Sequence, residues 1–208
     1  MHEDDTSLRI KPRQKRAVEK VERILQATAL LLEHHGVDEL NILAIAREAQ
    51  LPPATIYHYF ENRTAIFMAL AERTMREVDE AFAHVLLAAG EQSNPPDWQG
   101  MVRQLYEAYK SAPGYRQVLP LLRATPGLRE IEAASNRRSV EFLRTAFVHL
   151  QMSPERVERV ALMLAEMVQS FLDMALCAGT EAQAEAYVEE MQIMIGALAE
   201  HYLARVSA

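Results

Sequence analysis

The segment LPPATIYHYF, Leu51 to Phe60, decides how the 208-residue chain is read. Two adjacent prolines stand where hydrophobic spacing calls for a short helix, and three aromatic rings and a histidine follow at once. Proline is tolerated in the first turn of a helix, because the N–H groups there have no intrahelical acceptor. Pro52 and Pro53 therefore open a helix and do not interrupt one. Ile56 and Phe60 then fall on its inward face, while Pro53, Ala54, Tyr57 and His58 face outward.

Upstream, Asn41 is a good N-cap for a second short helix reaching Ala49. Its inward positions are Ile42, Ile45, Ala46 and Ala49, and the two alanines are small where helices must cross closely. With Leu51, Ile56 and Phe60 they make Val37 to Phe60 a helix-turn-helix. The second helix of such a unit can lie in the DNA major groove with its N-terminal residues at base edges. Thr55 and Tyr57 can donate hydroxyl hydrogen bonds to phosphate oxygens, which set register without reading sequence. His58 suits either task, and holds phosphate more strongly when protonated.

The remainder reads as helix after helix, an all-α chain of about nine helices with no strand-like alternation. The first helix spans roughly Lys15 to His34, with a stripe at Val21, Ile24, Leu25, Thr28, Leu31 and Leu32, and Gly36 ends it in a left-handed turn. Asn62 caps a long fourth helix, Arg63 to Ala88, carrying Ile66, Leu70, Val78, Phe82 and Val85 inward. GEQSNPP, Gly90 to Pro96, is a loop. Asp97 caps a helix from Trp98 to Lys110, and a short one follows from Tyr115 to Arg123. Thr125-Pro126 and Ser153-Pro154 open helices at Gly127–Leu150 and Glu155–Ala178. The last helix runs from Glu181 to Arg205.

Half of the residues are hydrophobic and a quarter charged, a globular composition. No apolar run approaches the ~20 residues of a membrane span, and MHEDDTSLRIKPRQKR has no apolar centre of the secretory kind. Cys177, the only cysteine, excludes an intrachain disulfide, fits a cytoplasmic location, and reads as a small buried hydrophobe. The net charge of −7 is unevenly spread. From Arg9 to Arg23 there are seven basic and two acidic residues, whereas from Arg76 onward there are twelve basic and eighteen acidic. One end of an acidic chain is thus fitted to approach an anion.

RILQATALLLEHHGVDELNILAIAREAQLPPATIYHYFENRTAIFMAL, Arg23 to Leu70, resembles the DNA-binding domain of the TetR family of bacterial transcriptional regulators. The most specific portion is ATIYHYFENR, with the IA-x-x-A run at Ile45 to Ala49 in its place upstream. The resemblance implies a three-helix DNA-binding domain followed by a helical ligand-binding and dimerisation domain, usually in a homodimeric repressor released by a small molecule. The corresponding division is a basic arm at 1–17, a helix-turn-helix domain at 18–72, and the ligand-binding and dimerisation domain at 73–208. By position, Thr55, Tyr57 and His58 contact DNA, Pro53 and Ala54 sit at base edges, and Arg63 meets phosphate. Asn41 and Lys15 complete the candidate set, and the arm from Arg9 to Lys20 can reach the minor groove or track phosphates. Three positions depart from the family pattern. Gln50 stands where glycine is usual and must adopt a strained φ unless the turn differs. Pro52 replaces a serine cap, and Leu43 replaces a polar residue on the second helix.

Two long apolar stripes end the chain. Val157, Leu164, Val168 and Phe171 on the eighth helix, and Val188, Met191, Ile195, Leu198 and Tyr202 on the ninth, are expected at a four-helix homodimer seam. The same spacing also suits an intrachain core. A ligand pocket is expected among Phe82, Leu105, Tyr109, Leu122, Phe142, Met163 and Met167, whose flexible apolar walls suit an apolar small-molecule effector. No metal-ligand spacing, nucleophile motif or glycine-rich phosphate loop occurs, so no cofactor, metal or enzymatic activity is expected. The expected partners are an operator in double-stranded DNA, a second copy of the chain and a small molecule. The competing reading is a helical small-molecule or protein-binding module without sequence-specific DNA binding.

Overall fold

The computed structural model describes residues 8–10, 14–37, 40–92, 97–112, 114–124, 126–147 and 152–203. Among these residues the regular structure is entirely helical. The helices are α1 (Lys15–His35), α2 (Ile42–Glu48), α3 (Pro53–Tyr59), α4 (Arg63–Gln92), α5 (Trp98–Ser111), α6 (Tyr115–Ala124), α7 (Arg129–Ala146), α8 (Pro154–Leu176) and α9 (Glu181–Leu203).

The expected caps start the helices. Asn41 Oδ1 accepts from the Ala44 N–H at 3.0 Å, Asn62 Oδ1 from Ala65 at 3.0 Å, and Asp97 Oδ1 from Gly100 at 2.9 Å. Ser153 caps α8, and Thr180 Oγ1 accepts from Gln183 at 3.2 Å to cap α9. Each such bond satisfies an orphan donor and contributes about 1 kcal/mol. At α3 the cap position is Pro52, with no side-chain bond.

Four local readings differ from the structure. Gly36 has the expected positive φ of 72°, but its ψ of −175° places it outside the left-handed helical region, in backbone space open essentially to glycine. α4 continues through Gly90 to Gln92, because nothing in that turn breaks it before the prolines at 95 and 96. The expected single helix from Gly127 becomes a 3₁₀ turn over Pro126–Leu128 followed by α7, and Leu128 is fully buried at the joint. Cys177 caps the C-terminus of α8 and is exposed, contrary to its reading as a core residue. The expected helix ends at Leu150 and Arg205 lie outside the described residues.

The chain divides into two compact units. The first comprises Met1–Met75 and Pro113–Glu132, and the second Arg76–Ala112 and Ala133–Ala208. Residues 113–132 thus join the first unit, although the sequence division groups them with the domain starting at 73. In the first unit α1 packs on α2 and α6, and α2 packs on α3. Ile24, Ile45, Ile56, Phe60, Ile66 and Leu70 are completely buried there, with Val118 of α6. Burial of each such side chain contributes roughly 1.5–3 kcal/mol. In the second unit α9 packs against α5 and α8.

Candidate DNA interface

α3 is seven residues long, and its exposure follows the helical period closely. Ile56, Tyr59 and the following Phe60 are buried, whereas Pro53, Ala54, Tyr57 and His58 are exposed and Thr55 is half-buried. At about 100° per residue the four exposed side chains occupy one continuous arc of about 140°. This is the division of duties the sequence predicts. Tyr59 adds an aromatic anchor that the sequence reading did not single out, and His58 sets its ring edge-on to it at 4.9 Å between centroids.

The turn that aims α3 is built by Gln50. Its φ is +52°, the one positive value on a non-glycine residue among those described. The Leu51 N–H donates to the Ala46 carbonyl at 3.0 Å, and the Gln50 N–H to Arg47 at 3.1 Å. Those two bonds form a Schellman motif, in which the residue after the cap must turn left-handed. The strained alternative foreseen for Gln50 is therefore the one adopted. Arg23 of α1 holds the same corner, donating from Nη2 to the carbonyls of Ala49 at 2.6 Å and Gln50 at 3.1 Å. Arg23, the last residue of the basic run from Arg9, thus has a structural task.

The same unit exposes basic and apolar side chains beyond α3. Lys15, at the start of α1, and Arg16 are exposed. Arg63 is exposed too, but its Nη1 donates to the Leu40 carbonyl at 2.7 Å and its guanidinium lies 5.5 Å from the Phe67 ring centre. It thereby fixes the segment leading into Asn41, whose own side chain is engaged in capping α2. Leu43 is 65% exposed on α2, one turn before exposed Arg47. Arg9 clips the end of α3. Its N–H donates to the Tyr59 carbonyl at 2.9 Å and its Nη1 approaches the Tyr57 carbonyl at 3.4 Å. Carbonyls in a last helical turn lack intrahelical donors, so a cation there is doubly favourable. No single-sequence signal identifies this clip. Lys11 and Arg13 of the arm lie outside the described residues.

Comparison with known proteins adds three findings. The family model described as bacterial regulatory proteins of the tetR family matches residues 24–70. The model described as a tetracyclin repressor-like C-terminal domain matches residues 95–198, half of the chain. The chain belongs to the TetR family. It is a DNA-binding transcriptional regulator of that family, with the reading head at residues 24–70. A TetR-family transcriptional regulator from Streptomyces coelicolor has a solved structure that is 25% identical, with a TM-score of 0.58 over 90% of this chain and 99% of that one. The structure of a multidrug binding protein, EbrR, complexed with imidazole shares the fold at 19% identity, a TM-score of 0.60, and coverage of 85% and 94%. An HTH-type transcriptional regulator of Haemophilus influenzae is 36% identical over 52 residues, 25% of this chain and 28% of that protein.

In this TetR-family chain the second unit redistributes the residues expected in a seam and a pocket. Val188, Met191 and Ile195 are buried within the single chain, on the helix that packs against α5 and α8. Val157, Leu164, Val168, Phe171 and Tyr202 are half-buried, and Leu198 is exposed. Besides Leu198, the exposed large apolar side chains of these two helices among the described residues are Leu162, Met163 and Met174 on α8 and Ile193 and Met194 on α9. Met163, expected in a pocket wall, is 71% exposed, and Phe142 is exposed beside Phe82 with 6.5 Å between ring centres. Met167 is half-buried. Phe82, Leu105 and Tyr109 are buried in the second unit, and Leu122 is buried in the first.

That second unit also buries a polar cluster which periodicity could not reveal. The Asp79 carboxylate of α4 accepts from Ser135 Oγ at 2.5 Å and from Arg138 Nε at 2.6 Å, both on α7. Burial raises the Asp79 pKa, opposed by those two bonds. Asp173 of α8 is buried and accepts from Gln169 Nε2 at 3.0 Å. Burial, and then the charges of Asp79 and Asp173, push the Tyr109 hydroxyl far above the ordinary tyrosine range. Among the described residues no group of histidine, cysteine and carboxylate side chains could hold a metal ion, and no helix is long and apolar enough to cross a membrane.

Proposed function

We propose that the chain acts as a homodimeric repressor in the cytoplasm, binding a palindromic operator and released by a small, largely apolar molecule. The observation that carries this reading is α3, a short helix pinned by Ile56, Tyr59 and Phe60 while Pro53, Ala54, Tyr57 and His58 stay exposed. Thr55, Tyr57 and His58 make polar contacts to backbone and base edges, and Lys15 and Arg63 face phosphate. Asn41 acts by starting α2 at the groove. A reader of this size needs a second copy to cover two half-sites.

The seam is assigned to the outward faces of α8 and α9. Met163, Met167, Phe171 and Met174 recur at spacings of four, four and three along α8, and Met194, Leu198 and Tyr202 do so along α9. Exposed and half-buried side chains of that size and order favour a partner helix over water. The effector is assigned to the second unit, where Phe82, Leu105 and Tyr109 supply apolar walls and the Asp79–Arg138 and Asp173–Gln169 groups supply directional partners. Selection from random DNA duplexes tests the reading. An enriched inverted repeat is expected, bound by two chains, with affinity falling steeply as salt rises. Return of no enriched motif favours a helical binding module without a DNA reader.

A further inference from the structure

The first two exposed positions of α3 offer no side-chain group able to read bases by hydrogen bonding. Pro53 and Ala54 carry no side-chain donor or acceptor, and both are exposed at the N-terminal turn, where a reading helix meets base edges. Pro53 also lacks a backbone N–H. Leu43 on α2, at 65%, is the most exposed large apolar residue among the described residues of the reading head, ahead of Tyr57 on α3 at 49%. These side chains are exposed, and so are basic Lys15, Arg16 and Arg47 in the same unit. Exposed apolar side chains on a DNA reader are matched by one feature of the major groove, the thymine 5-methyl group, which alone among the base-edge groups offers apolar contact.

We propose that this reader specifies thymine by methyl contact, through Pro53 and Ala54 on α3 and through Leu43 on α2. The proposal rests on the DNA-binding reading and adds the base that each half-site must carry. Tyr57 and His58 then hold the helix in register, and Pro53, Ala54 and Leu43 select. Burying one methyl group contributes enough for a change of about fourfold in affinity. Gln at position 53 has the opposite chemistry, since its amide pairs with adenine.

The test uses the full chain and the operator recovered by selection. Each thymine of one half-site is replaced in turn by uracil, which removes only the methyl group. At least two positions are expected to weaken binding about fourfold each. In Pro53→Ala the loss at one of them disappears, and in Leu43→Ala the loss at another; Pro53→Gln shifts the selected base at its position from thymine toward adenine. Circular dichroism confirms that each variant is folded, and Leu43→Met keeps an apolar contact should Leu43→Ala fail. Uniform tolerance of uracil across the half-site overturns methyl reading while leaving a specific DNA-binding protein. Equal uracil losses in wild type and in all three variants overturn the assignment to these residues. Failure to recover any operator strikes the regulator reading itself.

Discussion

The two units treat buried polarity in opposite ways. Among the described residues, the polar side chains buried in the first unit are two threonines, Thr28 and Thr74, and Thr28 is satisfied by its own helix through the Ile24 carbonyl at 2.8 Å. The second unit buries Asp79, Ser135 and Asp173, and exposes Met163, Ile193 and Leu162. A head that binds outside itself needs only a rigid apolar interior to aim a few surface groups. The second unit, proposed to take a ligand inside and a partner outside, has its directional groups within and apolar groups without. Buried charges are tolerated only when paired, because each costs several kcal/mol to remove from water.

The contrast is broken most directly at Asp79. Asp79→Ala leaves Arg138 and Ser135 facing a hole and is expected to cost about 3 kcal/mol of stability, read as a lowered midpoint in denaturant. A similarly placed change in the head, Thr28→Val, removes only a local bond and should cost about 1 kcal/mol. Equal costs would show that buried polarity is no more critical in one unit than in the other.

Alkaline pH sharpens the same point. The Tyr109 pKa is raised by folding, so its contribution is intact below the ordinary tyrosine range and is lost as pH rises through that range toward the folded value. In that window unfolding releases a proton, and stability falls by up to about 1.4 kcal/mol per pH unit. Tyr109→Phe should flatten the slope by one proton in thermal melts between pH 10 and 12. A slope identical to that of the wild type would contradict the buried placement.

The seam and the core of α9 are separated by a pair of variants. Val188→Ala opens a cavity and should cost about 2 kcal/mol without changing the oligomeric state. Met194→Lys should leave the fold intact and weaken self-association in sedimentation. The reverse pattern would restore the seam to the residues that periodicity first indicated. The smallest effect is expected at the turn, where Gln50→Gly relieves the positive φ and should add roughly 1 kcal/mol.

The same contrast governs what could be read from sequence. In the head, Asn41, Asn62, the proline pair and the absence of glycine at position 50 are local signals with local causes, and each was legible. The inward and outward faces of α3 followed from a period of 3.6 over seven residues. The Arg9 clip and the Arg23 support were not legible, since each joins a side chain to a carbonyl dozens of positions away. In the second unit the stripe through Val188, Met191 and Ile195 was visible, but periodicity says only that a face is covered. Whether α5 or another copy covers it depends on packing. Asp79, Ser135, Arg138 and Asp173 lie on three helices, and nothing in their spacing announces that they meet.

The central claim is that the exposed arc of α3 reads DNA, and equilibrium binding of Tyr57→Ala/His58→Ala to the selected operator tests it most directly. The double variant should keep its helical spectrum and melting midpoint, because both side chains are exposed, while specific affinity falls at least about 30-fold, given roughly 1–3 kcal/mol for each of the two lost contacts. Specific binding undiminished in a folded double variant would contradict the account and move the reading surface elsewhere on the chain.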